Sequence, residues 1–355
     1  MYDAARKEMR RDETKAGLFF FFSEAPIMKR QKLLAIVFSL LPGAFLAADT
    51  KKNAFVVKAH SEMISAVAYS SDGSDLATGG FDSTAILWEA ATGKKRAVLG
   101  AQRGALAAKG EIAALAFSPD AKLLATGSWD GSIILWDVSD GNARTTIQVK
   151  MAKVTALAFS PDGKVLASGG SDNTIRIWNP ASGRQLSALA GHKSRVQALA
   201  FSPDATQLAS GSNDDTIKLW DVRAEKVVRT LEFSSVYGVA FNPDGKMLAA
   251  AASSDLSVAQ VWDPTTGEKK ATLEGHIHGV NCVAFRPDGR LLATGGTEGT
   301  VRLWEPKTWK LRAVLEGPKG FVKAVVFSPD GKRLAAGGLD GGLYIWDVAD
   351  LTTRP

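Results

Sequence analysis

LAGHKSRVQALAFSPDATQLASGSNDDTIKLWDVRAEKVVRTL, residues 189–231, holds four short apolar runs separated by turn-forming residues. Gly191-His192 opens the stretch, and Val196–Phe201 reads as a first strand. Ser202-Pro203-Asp204-Ala205 is a turn, Gln207–Ser210 a second strand, and Asn213-Asp214-Asp215 another turn. Thr216–Trp220 forms a third strand and Lys226–Leu231 a weaker, more polar fourth. Hydrophobicity that alternates with period two and breaks at Pro, Asp and Gly is the pattern of hairpins in an antiparallel sheet.

The unit recurs. Trp88, Trp136, Trp178, Trp220, Trp262, Trp304 and Trp346 follow one another at intervals of 48 and then five times 42 residues. One residue before each Trp stand Leu87, Leu135, Ile177, Leu219, Val261, Leu303 and Ile345. Three before stand Ala85, Ile133, Ile175, Ile217, Ala259, Val301 and Leu343. All fourteen are apolar, while the residues between them vary, so one face of this strand is expected to be buried in every copy. The first turn also repeats, as Ser-Pro-Asp-Gly at 160–163 and 328–331 and as close variants in the other copies. Pro pre-sets φ there, and Asp and Gly accept the tight bend. These aspartates lack a second carboxylate at ligand spacing, so they read as turn formers and not as metal ligands. A repeat of 40–45 residues ending in Trp points to four-stranded propeller blades, which must stack to bury their faces.

On these residues the chain resembles the WD-repeat (WD40) β-propellers, as an exported, bacterial-type member. The resemblance covers about residues 53–350 and implies an all-β fold: a ring of seven four-stranded antiparallel blades. In that family a His, a Ser or Thr, an Asp and the Trp form a hydrogen-bonded tetrad within a blade. The matching positions are His60, Thr78, Asp82 and Trp88, then His192, Ser210, Asp214 and Trp220. A third set is His276, Thr294, Glu298 and Trp304, with Glu in the place of Asp. Other copies depart. Lys150 stands beside Ser168, Asp172 and Trp178, and Ala108 beside Thr126, Asp130 and Trp136. Pro318 and Ala336 stand beside Asp340 and Trp346, and Ala250 replaces the hydroxyl in the Trp262 copy. Those blades are expected to rest more on packing.

The last copy ends without a fourth strand, and a spare strand, Asn53–Lys58, precedes the first copy. The N-terminal strand is therefore expected to complete the last blade, which would remove an open sheet edge.

Residues 28–48 read as a signal peptide. A basic Met28–Lys32 is followed by the apolar run Leu33–Leu41 and by small residues up to Ala48. The run is too short to span a bilayer, which needs about 20 residues. Residues 1–27 are expected to be an over-long gene start, with Met28 as the true one, or else a non-conforming leader; 49–355 would be the propeller. The product is then exported to the periplasm or beyond, and cytoplasmic if the leader is not functional. Net charge is +6, from 43 basic and 37 acidic residues. Eight of the basic and five of the acidic ones fall before Asp49, which leaves a mild excess and no basic run of the kind nucleic acid needs.

The one cysteine, Cys282, fits a small buried core residue. No nucleophile elbow, phosphate loop or paired catalytic carboxylate stands out, and His276-Ile277-His278 is a poor metal pair. The expected protein is non-catalytic, with no metal and no cofactor, and a monomeric ring. The alternative is a periplasmic propeller enzyme or small-ligand binder. In the resembled family, partners sit on the face carrying the loop before the first strand and the loop before the third. The positions aimed there give an apolar sector on three adjacent blades: Phe321, Leu339, Met63, Phe81 and Trp129. Lys153, Arg195 and Lys323 are its basic neighbours. The extra six residues of the 48-residue interval fall in the 100–111 loop on the same face. An unidentified protein or peptide is the expected partner.

Overall fold

A computed structural model describes residues 49–51, 55–100, 110–149, 152–252 and 257–352. The leader region 1–48, most of the 100–111 loop, Ala108, Lys150 and Ser254 lie outside the described residues.

Counted from the Trp88 copy, blades 1–7 each contain an antiparallel sheet. Blade 4, the unit quoted first, runs Val196–Phe201, Gln207–Ser212, Thr216–Asp221 and Lys226–Glu232. Its first strand is shifted by a bulge after Val196, and the same irregularity recurs in every other blade. Blade 7 supplies three strands of its own, Val322–Phe327, Arg333–Gly338 and Gly342–Asp347. Its fourth is Phe55–Lys58, antiparallel to the third, with Phe55 opposite Ile345 and Lys58 opposite Gly342. The ring thus closes by joining the two ends of the chain. A second N-terminal piece, Asp49–Lys51, adds in parallel to the outer strand Lys310–Glu316 of blade 6.

The core lies between blades. Seven apolar clusters form, one at each junction, and every repeat Trp packs on the preceding blade. Trp136 joins Ala85 and Leu87, Trp220 joins Ile175 and Ile177, and Trp346 joins Val301 and Leu303. Trp88 closes the circle on Leu343 and Ile345. All fourteen apolar residues one and three positions before the tryptophans are buried. They form the seat on which the next blade's Trp rests.

The blades approach closely because the second strand carries Gly at the contact. A Cβ at Gly127 would lie 2.6 Å from Val154, and one at Gly169 2.6 Å from Val196. The first turns rest on local hydrogen bonds. Ser118 Oγ donates to Asp120 at 2.6 Å and Ser160 Oγ to Asp162 at 2.6 Å. These hydroxyl bonds hold the turn carboxyls below their usual range, Asp162 at about 2. Ala121 and Ala205 take the left-handed conformation that Gly163 and Gly331 fill elsewhere.

Candidate functional site

The three histidine-bearing blades carry one wiring. In blade 1 the Trp88 Nε1–H donates to Thr78 Oγ1 at 3.0 Å. Thr78 Oγ1 lies 2.8 Å from His60 Nε2, and His60 Nδ1 lies 2.9 Å from Asp82. Blade 4 repeats it through Ser210: 2.8 Å from Trp220, 2.6 Å from His192 Nε2, and 2.8 Å between His192 Nδ1 and Asp214. In blade 6, Trp304 donates to Thr294 at 2.9 Å, and His276 bridges Thr294 and Glu298. The longer Glu side chain reaches its histidine as Asp does elsewhere.

Electrostatics set the direction of the donors. Burial pushes His60 and His192 below the ordinary histidine value and outweighs the pull of their aspartates. Burial works against ionisation of Asp82 and Asp214, yet hydrogen bonds from Thr84, Thr216, the backbone and the histidines prevail. Asp82 stays below its usual range and Asp214 falls to about 2. A neutral imidazole beside a carboxylate donates from Nδ1 and accepts at Nε2. In blades 1 and 4 the proton chain therefore runs from indole to hydroxyl, hydroxyl to imidazole, and imidazole to carboxylate, whereas in blade 6 the second carboxylate oxygen of Glu298 is buried without a hydrogen-bond partner.

The departing blades use other partners. Trp136 and Trp178 keep their hydroxyl acceptors, Thr126 at 2.9 Å and Ser168 at 2.8 Å. In blade 3, Arg176 donates to Asp172 at 2.6 Å. In blade 7 the Tyr344 hydroxyl donates to Asp340 at 2.7 Å, and its ring stacks on Trp346. With Ala336 in the hydroxyl position, the buried Trp346 Nε1 has no hydrogen-bond partner. In blade 5, Phe233 meets Trp262 edge to face at 5.1 Å. Arg176 and Tyr344 sit at third-strand positions that vary between copies, so their role was visible only as an absence of pattern.

On the tetrad-loop face, Phe81 of blade 1 and Trp129 of blade 2 meet edge to face, with centroids 4.9 Å apart and planes at 60°. Both are half-buried. The Lys153 ammonium of blade 3 lies 3.9 Å from the centre of the Trp129 ring, a cation–π contact that links a third blade. Phe321 and Leu339 are half-buried on blade 7, where the Leu339 amide donates to the Phe321 carbonyl.

One residue is placed differently from the sequence expectation. Met63 is 4% exposed, so it packs beneath this surface and adds no apolar area to it. Lys323 turns towards blade 5. Its ammonium lies 4.9 Å from the Tyr237 ring of blade 5. Arg195 is half-buried on blade 4.

Cys282 is buried, and burial pushes its thiol up to about 12, so it stays protonated at neutral pH. It occupies the inner-strand position that small residues, such as Ala198 and Gly238, fill in other blades. Among the described residues no group of three His, Cys, Asp or Glu is placed to hold a metal.

Two recurring features escaped the reading of the sequence. One is the Gly at the end of the second strand, as in Gly79, Gly211 and Gly337. The other is an aromatic residue closing the first strand of every blade, Tyr69 in blade 1 and a Phe, such as Phe327, in the rest. Both repeat in phase with the tryptophans, which was the signal available for finding them.

Comparison with known proteins agrees with this architecture. Residues 51–89, 267–305 and 309–347 each match the WD domain, G-beta repeat family. Residues 111–258 match the family described as the IFT122 first beta-propeller. The chain therefore contains WD40 repeats. No curated protein matches it.

Proposed function

We propose that this chain is a non-catalytic binding scaffold that holds a protein or peptide on the tetrad-loop face of its ring. WD40 propellers typically bind proteins. The observation that carries the reading is the array of Phe81, Trp129 and Lys153, in which two aromatic rings and a cation from three consecutive blades are in contact on one face. Aromatic anchors beside a cation are the side chains that dominate the energy of protein interfaces. Their backbones are fixed by the blades, so ordering them on binding costs little. Residues 28–48 support a secreted scaffold, because a basic segment, a short apolar run and small residues lie in the order of a cleavable leader.

Quantitative capture from a periplasmic extract tests this. The full chain is compared with a Phe81→Ser, Trp129→Ser variant of matched circular dichroism and melting. Proteins retained by the first and lost by the second support the reading; identical retention overturns it.

A further inference from the structure

In three blades the second of the two face-directed positions of the first strand ties that blade to the next. Ser65 donates to the Ile112 carbonyl, Thr155 to the Val196 carbonyl, and Asn281 Nδ2 to the Val322 carbonyl at 3.1 Å. Lys323 holds this position in blade 7 and behaves differently. Its ammonium reaches the Tyr237 ring of blade 5, so the side chain passes over the inner strand of blade 6 and lies across the mouth of the central channel. In the other six blades the position holds Ser, Ala, Thr, Gln, Tyr or Asn, which makes Lys323 the one charge on this ring of side chains.

Arg195 of blade 4, another cation, bears on Lys323. Among the described residues neither one forms an ion pair. Burial holds the Lys323 ammonium below the usual lysine range. Arg195 adds to that shift, against an opposing pull from Cys282. Two cations that bear on one another without a carboxylate repel, and a ligand anion between them would offset that cost. The tetrad acids on this face are already engaged, Asp82 and Asp214 with their histidines and Asp340 with Tyr344.

We propose that the channel mouth between Arg195, Tyr237 and Lys323 receives an acidic side chain, Asp or Glu, of the peptide that docks on this face. This rests on the proposed scaffold function and names the class of its partner: a segment with an apolar or aromatic residue for the Phe81–Trp129 rim and a carboxylate for the channel. Charge complementarity selects this occupant. A basic segment would meet two like charges, and a purely apolar one would leave both cations without a counter-charge.

The test is selection of random peptides, displayed on phage, on the full chain and on three variants: Lys323→Met, Lys323→Glu, and Phe81→Ser with Trp129→Ser. Met keeps the length and packing of the Lys stem over Tyr237, and each variant is first shown to melt like the parent. Peptides from the parent should be enriched in Asp or Glu at a fixed spacing from an apolar residue, and their affinity should fall as salt rises. Lys323→Met should weaken them at least about tenfold, and Lys323→Glu should shift the selection towards Lys and Arg. Peptides that depend on Phe81 and Trp129 but show no acidic preference, or bind Lys323→Met equally well, would overturn the acidic pocket and leave the scaffold reading standing. A parent that enriches no peptide, or only peptides indifferent to Phe81 and Trp129, would overturn both.

Discussion

Replacing Ser210 with Ala would break the blade 4 tetrad at its middle. The Ser210 hydroxyl is fully buried, accepts from Trp220 Nε1 at 2.8 Å and donates to His192 Nε2 at 2.6 Å. Alanine removes one oxygen and strands two buried polar groups, an indole N–H and an imidazole nitrogen. Each such group costs about 1–3 kcal/mol when left unpaired, so the loss for the two should be about 2–6 kcal/mol. The volume change is a single oxygen, so a cavity contributes little. Urea unfolding of the full chain, followed by tryptophan fluorescence, measures it through the midpoint at unchanged slope. Ser210→Thr is the internal control. Thr78, Thr126 and Thr294 hold the same position in blades 1, 2 and 6 with the indole bond intact, so threonine should cost less than about 1 kcal/mol. A Ser210→Ala loss below about 1 kcal/mol would refute the argument that the tetrad is held by obligatory pairing of buried donors.

The converse change in blade 7, Ala336→Ser, should supply the missing acceptor for Trp346 Nε1 and stabilise the ring by about 0.5–1.5 kcal/mol in the same assay. His60 and His192 have folded values below the ordinary 6.5. The unfolded chain therefore takes up protons first, and stability should be full above about pH 6.5 and fall as pH drops below it. The depressed Asp82 and Asp214 add a second loss below their ordinary value of 3.8. A stability profile flat from pH 7 to pH 5 would contradict the first of these assignments. Deleting residues 49–59 removes the Phe55–Lys58 strand and exposes the edge of Gly342–Asp347, so the melting temperature of the whole ring should fall; an unchanged melt would refute the latch.

The tryptophan interval revealed the blades because a repeat needs only self-similarity to be seen. The closing strand was legible because Asn53–Lys58 has no partner within its own copy. Periodicity shows which face of a strand is buried but not what covers it. That is why the seating of Trp88 on Leu343 and Ile345, across the chain ends, emerged only in three dimensions. The same limit applies on the tetrad-loop face. Rim positions place Met63 and Lys323 at points on the ring, yet the burial of Met63 and the reach of Lys323 towards Tyr237 depend on neighbours from other blades. Tyr344 stands in for a histidine at Asp340 through a different position in the strand, which motif alignment cannot register.

The central claim is that the tetrad-loop face, and no other surface, holds the partner. Hydrogen exchange of the full chain, with and without a protein retained in the capture experiment, measures this directly. Protection should appear at the amides of Phe81, Trp129 and Leu339 and around Tyr237 and Lys323. The turns at Ser118–Ala121 and Ser202–Ala205, on the opposite end of the strands, should be unchanged. Protection confined to those turns or to the outer strands of the blades would contradict the account.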